Sequence, residues 1–190
     1  MRRQKRMPAM NKIAVLAAAL ALVAVPSAAK LPVGAKAPNF ATQAALGGTA
    51  FGFNLRSALA KGPVVLYFYP KAFTKGCTLE AHEFAEATPE FAKYGATVIG
   101  MSNDDIDTLK RFSKEECRDK FAVAAATPKI VKAYQAALVQ EGKPTGLTER
   151  TSYVIDRNGR IVFVHSDLDY KDHVRLALDA VRTLQARHRH

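Results

Sequence analysis

Apolar positions along this chain fall into short unbroken runs and longer stretches where they recur every third or fourth residue. Pro63-Val-Val-Leu-Tyr-Phe-Tyr-Pro70 is an unbroken run, rich in β-branched and aromatic residues and closed by prolines. Its length and content predict a strand buried on both faces. A loop, Lys71 to Gly76, follows. From Thr78 to Tyr94 the side chains of Leu79, Ala81, Phe84, Ala87, Phe91 and Tyr94 lie close to helical spacing. They predict a helix, which Pro89 should bend or interrupt. Gly95 ends it, and Ala96 to Met101 reads as a second buried strand. Ser102, Asn103, Asp104 and Asp105 supply cap candidates for a helix from about Ile106 to Lys120.

Phe121 to Ala124 reads as a short strand, and Lys129 to Leu138 as a helix. Thr151–Ile155 and Arg160–Val164 flank Asn158-Gly159, the strongest short hairpin signal in the chain. The final helix is expected from about Lys171 to Gln185, with Val174, Leu176, Leu178, Val181 and Leu184 as core candidates. Residues 30–50, rich in Gly, Ala and Pro, read as a lead-in with short extended pieces. Strands and helices therefore alternate until a hairpin and a last helix. That order predicts an α/β domain with a mixed, partly parallel central sheet flanked by helices. Gly47-Gly48 lacks the following spacing that a phosphate-binding turn requires.

Composition narrows the function classes. The 190 residues are 48% hydrophobic, too apolar for a disordered chain, and their number suits one compact domain. Two cysteines cannot build a disulfide-dense scaffold or a four-thiolate zinc site. Lys and Arg number 28 against 17 Asp and Glu, a net charge of +11. Five of those bases and no acid lie in the first 29 residues, so the remainder carries 23 bases against 17 acids, or +6. A short basic tail, Arg187 to His190, follows the last helix. No stripe of bases interleaved with aromatics appears, so no nucleic-acid partner is expected.

Residues 13–25 form an apolar run behind the basic flank and ahead of Pro26. The run is shorter than the roughly 20 residues a membrane-spanning helix needs. Ser27-Ala28-Ala29 supplies small residues for cleavage before Lys30. Basic, apolar and small-residue parts in that order predict a secretory signal over residues 1–29, with the initiator at Met1 or Met10. The alternatives are a membrane anchor or a buried helix. Removal near Ala29 leaves residues 30–190 as an exported chain without stable membrane insertion. An oxidising compartment, the bacterial periplasm, is the expected location.

The chemistry concentrates in Tyr69-Pro-Lys-Ala-Phe-Thr-Lys-Gly-Cys-Thr-Leu-Glu80. Cys77 falls at the predicted first turn of a helix, where unpaired backbone N–H groups and the helix dipole favour an anion. A thiol there should ionise more readily, and the thiolate is the nucleophile. Thr74 lies three residues earlier, close enough to share a pocket with the sulfur. Pro70 fixes the chain as it leaves the strand and offers no competing N–H. Other readings stand beside this one. A cysteine in an exported protein is often half of a structural disulfide. A threonine after a strand is commonly a turn residue, and Arg150 taken alone is a surface arginine.

Pro70, Thr74 and Cys77 match the Pro-x-x-x-Thr-x-x-Cys signature, and the chain resembles the peroxiredoxins. Tyr67 to Ala81 is similar to the peroxiredoxin Q branch, also called bacterioferritin comigratory protein. The similarity continues through Val98–Ser102 and Arg150–Ile161 and covers most of residues 31–185. It implies a thioredoxin-like fold and a thiol peroxidase with no metal and no prosthetic group, serving antioxidant defence. By the same resemblance Cys77 is the peroxidatic cysteine, Thr74 hydrogen-bonds the peroxide, and Arg150 stabilises the thiolate and developing charge on oxygen. Glu80 orients that arginine.

Many members of the branch carry a resolving cysteine five positions after the peroxidatic one. Here that position is His82, read as a partly exposed helical side chain. The local sequence around Cys117 looks like the group that resolves from the next helix, so the resemblance assigns a Cys77–Cys117 redox disulfide. An inert Cys117 and an external resolving thiol remain the alternative. Thioredoxin or a thioredoxin-like protein is the expected reductant, hydrogen peroxide or an organic hydroperoxide the substrate, and a monomer the expected state. A thiol-disulfide oxidoreductase is disfavoured, because no Cys-x-x-Cys occurs. A non-catalytic binding protein with a structural Cys77–Cys117 bridge has no positive feature in its favour.

Overall fold

The computed structural model describes residues 30–187, so the secretory signal expected over residues 1–29 and the end of the basic tail lie outside the described residues. Strands β1 (Ala41–Leu46) and β2 (Thr49–Asn54) form a hairpin, followed by α1 (Leu55–Leu59) and β3 (Val64–Phe68). Helix α2 (Lys75–Lys93), β4 (Thr97–Ser102), α3 (Ile106–Glu115), β5 (Ala122–Ala125) and α4 (Pro128–Ala133) come next. A small ribbon of β6 (Ala137–Gln140) and β7 (Lys143–Thr148) precedes β8 (Thr151–Ile155), β9 (Ile161–Ser166) and α5 (His173–Arg187).

The main sheet runs β2-β1-β5-β4-β3-β8-β9. Its centre, β3-β4-β5, is parallel, and the flanking pairs are antiparallel. Alternation along the buried β3 divides the core. Val64, Leu66 and Phe68 face α1 and α4, while Val65, Tyr67 and Tyr69 face α2, α3 and α5. Both cysteines lie in the second of these clusters. The predicted mixed sheet flanked by helices is the observed architecture.

Local differences have physical causes. Residues 41–54 are a full hairpin rather than short extended pieces, because Gly47 and Gly48 both take positive φ (56° and 79°) in a tight turn. Pro89 does not interrupt α2. It is exposed, and the neighbouring Thr88 hydroxyl donates to the Phe84 carbonyl at 2.8 Å, within the turn that the proline disturbs. Helix α3 stops at Glu115, capped at its start by Asp105, so Cys117 sits in the turn beyond the helix. Residues 129–138 are a single short helix followed by the β6–β7 ribbon. In α5 the core stripe is His173, Val174, Ala177, Val181 and Leu184, leaving Leu176 and Leu178 half-buried.

Candidate active site

Helix α2 begins where β3 runs out, and its cap is Thr74. Cys77 is therefore the third helical residue, in the first turn as expected, reduced and only 2% exposed. The Thr74 hydroxyl donates to the Lys71 carbonyl at 2.9 Å and makes no capping bond, so nearby helix N–H groups stay free of it. Pro70 is half-buried at the start of the loop. The loop itself is pinned from β4: the Ala72 N–H donates to the Asp104 carboxylate at 2.8 Å, and Ser102 donates to the same oxygen. Phe73 takes a φ of 62°, uncommon for an aromatic residue. Its ring packs edge-on against Phe112, under the Arg111 guanidinium.

Arg150 immediately precedes β8, which pairs with β3 so that Thr151 faces Phe68. This register returns a residue 73 positions away to the loop that carries Cys77. All three guanidinium nitrogens are engaged. Nη2 donates to Cys77 Sγ at 3.5 Å, Nη1 to the Glu80 carboxylate, and Nε to the Leu168 carbonyl at 2.9 Å. Gly76 lies beneath it, and a Cβ there would stand 3.3 Å from Nη2, a tight contact that would push on the guanidinium.

Glu80 is fully buried, one helical turn beyond Cys77. Burial pushes its carboxyl up to about 8, against the pull of Arg150. Arg150 moves up as well, because Glu80 and Cys77 outweigh the burial that opposes its charge. Behind this pair stands His173, also fully buried, with Nδ1 3.9 Å from the free Glu80 oxygen. Its Nε2 faces the Asp167 carbonyl at 2.9 Å and must donate there, so Nδ1 accepts from the Ser152 hydroxyl at 2.8 Å. Burial lowers His173 to about 4 and keeps the ring neutral.

Cys77, Arg150 and Glu80 are thus in direct or bonded contact, with Thr74 and Pro70 on the same loop. Cys117 is also reduced and fully buried, and burial, then the neighbouring Glu116, pushes its thiol up. His82 is part-exposed, as expected, but paired to Glu116 at 2.6 Å. Sequence reasoning missed Asp104 as a loop anchor, and also Ser152, His173 and the Leu168 carbonyl. Only tertiary packing brings those groups to the site. Among the described residues, no group of three or more His, Cys, Asp or Glu side chains is placed to hold a metal.

A reduced cysteine facing a buried arginine at a helix entrance is the arrangement of thiol peroxidases on thioredoxin-like folds. Residues 33–164 match the AhpC/TSA family, and the chain belongs to it. Peroxiredoxin Bcp of Bacillus subtilis strain 168 is 31% identical over 123 residues, 64% of this chain and 78% of that protein. The crystal structure of Peroxidoxin BcpB from Mycobacterium tuberculosis is similar with a TM-score of 0.70 and 29% identity, covering 80% of this chain and 96% of that one. The bacterioferritin comigratory protein of Xanthomonas campestris, described for its alkyl peroxide reduction activity, gives a TM-score of 0.67 and 26% identity over 75% of this chain and 91% of its own. The protein is a peroxidase oxidoreductase of the Bcp and peroxiredoxin Q kind, taking a peroxide and a thiol reductant.

Proposed function

We propose that Cys77 is the peroxidatic nucleophile and Arg150 its electrostatic partner. The observation that carries this reading is the Arg150 N–H directed at Cys77 Sγ from 3.5 Å, beside the free N–H groups of the α2 entrance. Positive charge and oriented donors beside the sulfur stabilise the negative oxygen that forms as the O–O bond breaks. The thiolate attacks the terminal peroxide oxygen. An S–O bond forms, the O–O bond breaks, and the leaving oxygen takes a proton to give alcohol or water, leaving Cys77 as sulfenic acid. The Thr74 hydroxyl, already donating to Lys71, retains lone pairs that can accept from a peroxide O–H. Pro70 shields the pocket, and Glu80 fixes the arginine.

Resolution then falls to Cys117. Its thiol condenses with the sulfenic acid, releasing water and forming a Cys77–Cys117 disulfide. In this reading the first turn of α2 and the turn at Cys117, whose thiols are both buried, open locally to let the sulfurs meet. Thioredoxin or a thioredoxin-like protein reduces the disulfide in this reading, and the working unit is a monomer. Organic hydroperoxides join hydrogen peroxide as substrates, in keeping with the Xanthomonas campestris relative. The chain acts after export, once residues 1–29 are removed.

Peroxide consumption coupled to thioredoxin oxidation tests the assignment. Cys77→Ser should abolish turnover. Cys117→Ser should react once with peroxide and then fail to be recycled by thioredoxin. Full activity in Cys77→Ser would remove the peroxidatic role. The burial of Cys117 favours a second reading, in which an external thiol resolves the sulfenic acid. In that case Cys117→Ser keeps its turnover when small thiols are supplied.

A further inference from the structure

Cys117 is fastened to α2 from both sides. Glu116, the residue before it, has its carboxylate 2.6 Å from His82 Nε2. Arg118, the residue after it, has Nη1 3.3 Å from the Glu86 carboxylate. His82 and Glu86 are spaced i, i+4 and so share one face of α2, the helix whose first turn holds Cys77. The thiol between the two pairs is 0% exposed. Beyond it, Arg118 and Asp119 take positive φ (52° and 58°), and residues 118–120 are exposed. The turn is therefore exposed on its solvent side, with the Asp119 carboxylate lying near Gly47, and is tied to α2 on the other by the two ion pairs. All four paired side chains retain solvent exposure, from 22% to 72%. Pairs of that kind are weak enough to open and close reversibly.

We infer that His82 and Glu86 are positioning residues for the resolution step, latching the Cys117 turn against α2 until it opens. This rests on the reading of Cys117 as the resolving thiol. In this proposal the latched state keeps Cys117 away from the Cys77 sulfenic acid. When the latch parts, Cys117 reaches it, the S–S bond forms, the S–O bond breaks, and the hydroxyl leaves as water with the thiol proton. Until then a second peroxide competes for the sulfenic acid and carries it to sulfinic acid. The latch thus divides each oxidised molecule between recyclable disulfide and over-oxidation. The position that holds a resolving cysteine in many relatives here holds the residue that restrains one.

The test separates the two chemical steps in the full chain. Peroxide loss reports the first, and acid-quenched mass spectrometry of sulfenic acid and disulfide reports the second. His82→Ala and Glu86→Ala should leave the first rate unchanged. Each should speed disulfide formation about two- to five-fold, the effect of losing one partly exposed pair, and lower the sulfinic acid yield in excess peroxide. Arg118→Glu should do the same. Adding Glu86→Arg to it restores the pair in reversed sense and should bring the rate back toward the original, which loss of structure alone would not do. Disulfide forming at an unchanged or slower rate in His82→Ala and Glu86→Ala overturns the latch and leaves Cys117 as resolver. No Cys77–Cys117 disulfide in the unaltered protein overturns both.

Discussion

Arg150 shows what one side chain contributes when every nitrogen is assigned. Its three contacts come from α2, from the same helix one turn deeper, and from the loop after β9. A lysine carries the charge but cannot keep that fork. Arg150→Lys should cut the rate of Cys77 oxidation by about 10²-fold, as for loss of a preorganised donor, read by competition for limiting peroxide. The neighbouring buried pair gives opposite pH slopes. His173 is neutral in the fold at about 4, while its unfolded pKa is about 6.5, so the unfolded chain binds the extra proton in between. Its contribution is present above pH 6.5 and is lost on acidification toward pH 4, by about 3 kcal/mol at most. Glu80, held protonated in the fold up to about 8, loses its contribution as pH rises through that value. Urea unfolding of reduced protein against a His173→Gln variant should therefore show a difference that shrinks as pH falls from 6.5 to 4. The placement of Cys77, Thr74 and Pro70 around the start of α2 was legible because it is set by local sequence. Arg150 was legible through resemblance alone, and His173 not at all, since an isolated histidine in a helix start carries no signal of what lies opposite.

Among elements, α2 holds Cys77, Glu80 and an apparent contradiction. An exposed proline sits inside it, where the missing N–H and ring clash cost up to about 3 kcal/mol against alanine. Pro89→Ala should raise stability by about 1–3 kcal/mol, measured as a higher urea midpoint with an unchanged slope, and leave peroxide reactivity intact. The unbroken apolar runs identified β3 and β4 because strands buried on both faces need no alternation. The β1–β2 hairpin was less visible: its outer strand is largely exposed, so no apolar periodicity marks it. The Asn158-Gly159 turn was read correctly as a hairpin, but only Gly159 takes positive φ, and the register shifts beside it. The end of α3 was set too far along, because Glu116 to Lys120 are helix-compatible residues. The chain instead turns there through two left-handed positions.

At the scale of the whole molecule, the sheet is the device that closes the site. The β3–β8 register, not proximity in sequence, puts Arg150 beside Cys77. The proposed export also has a consequence at this scale. Lys30, the first residue after the expected cleavage, donates to the Gln135 carbonyl at 2.8 Å and pairs with Glu149. In this proposal intact-mass measurement of the exported protein should find Lys30 at its amino terminus. Retention of residues 1–29 would contradict that. The placement of Glu80 one turn deeper than Cys77 has a further result. If only the first turn of α2 melts during the catalytic cycle, the Glu80 carboxyl still accepts from the guanidinium throughout. The empty cradle then survives as a mould, and the cysteine released by the reductant needs only to rewind onto it before the next encounter.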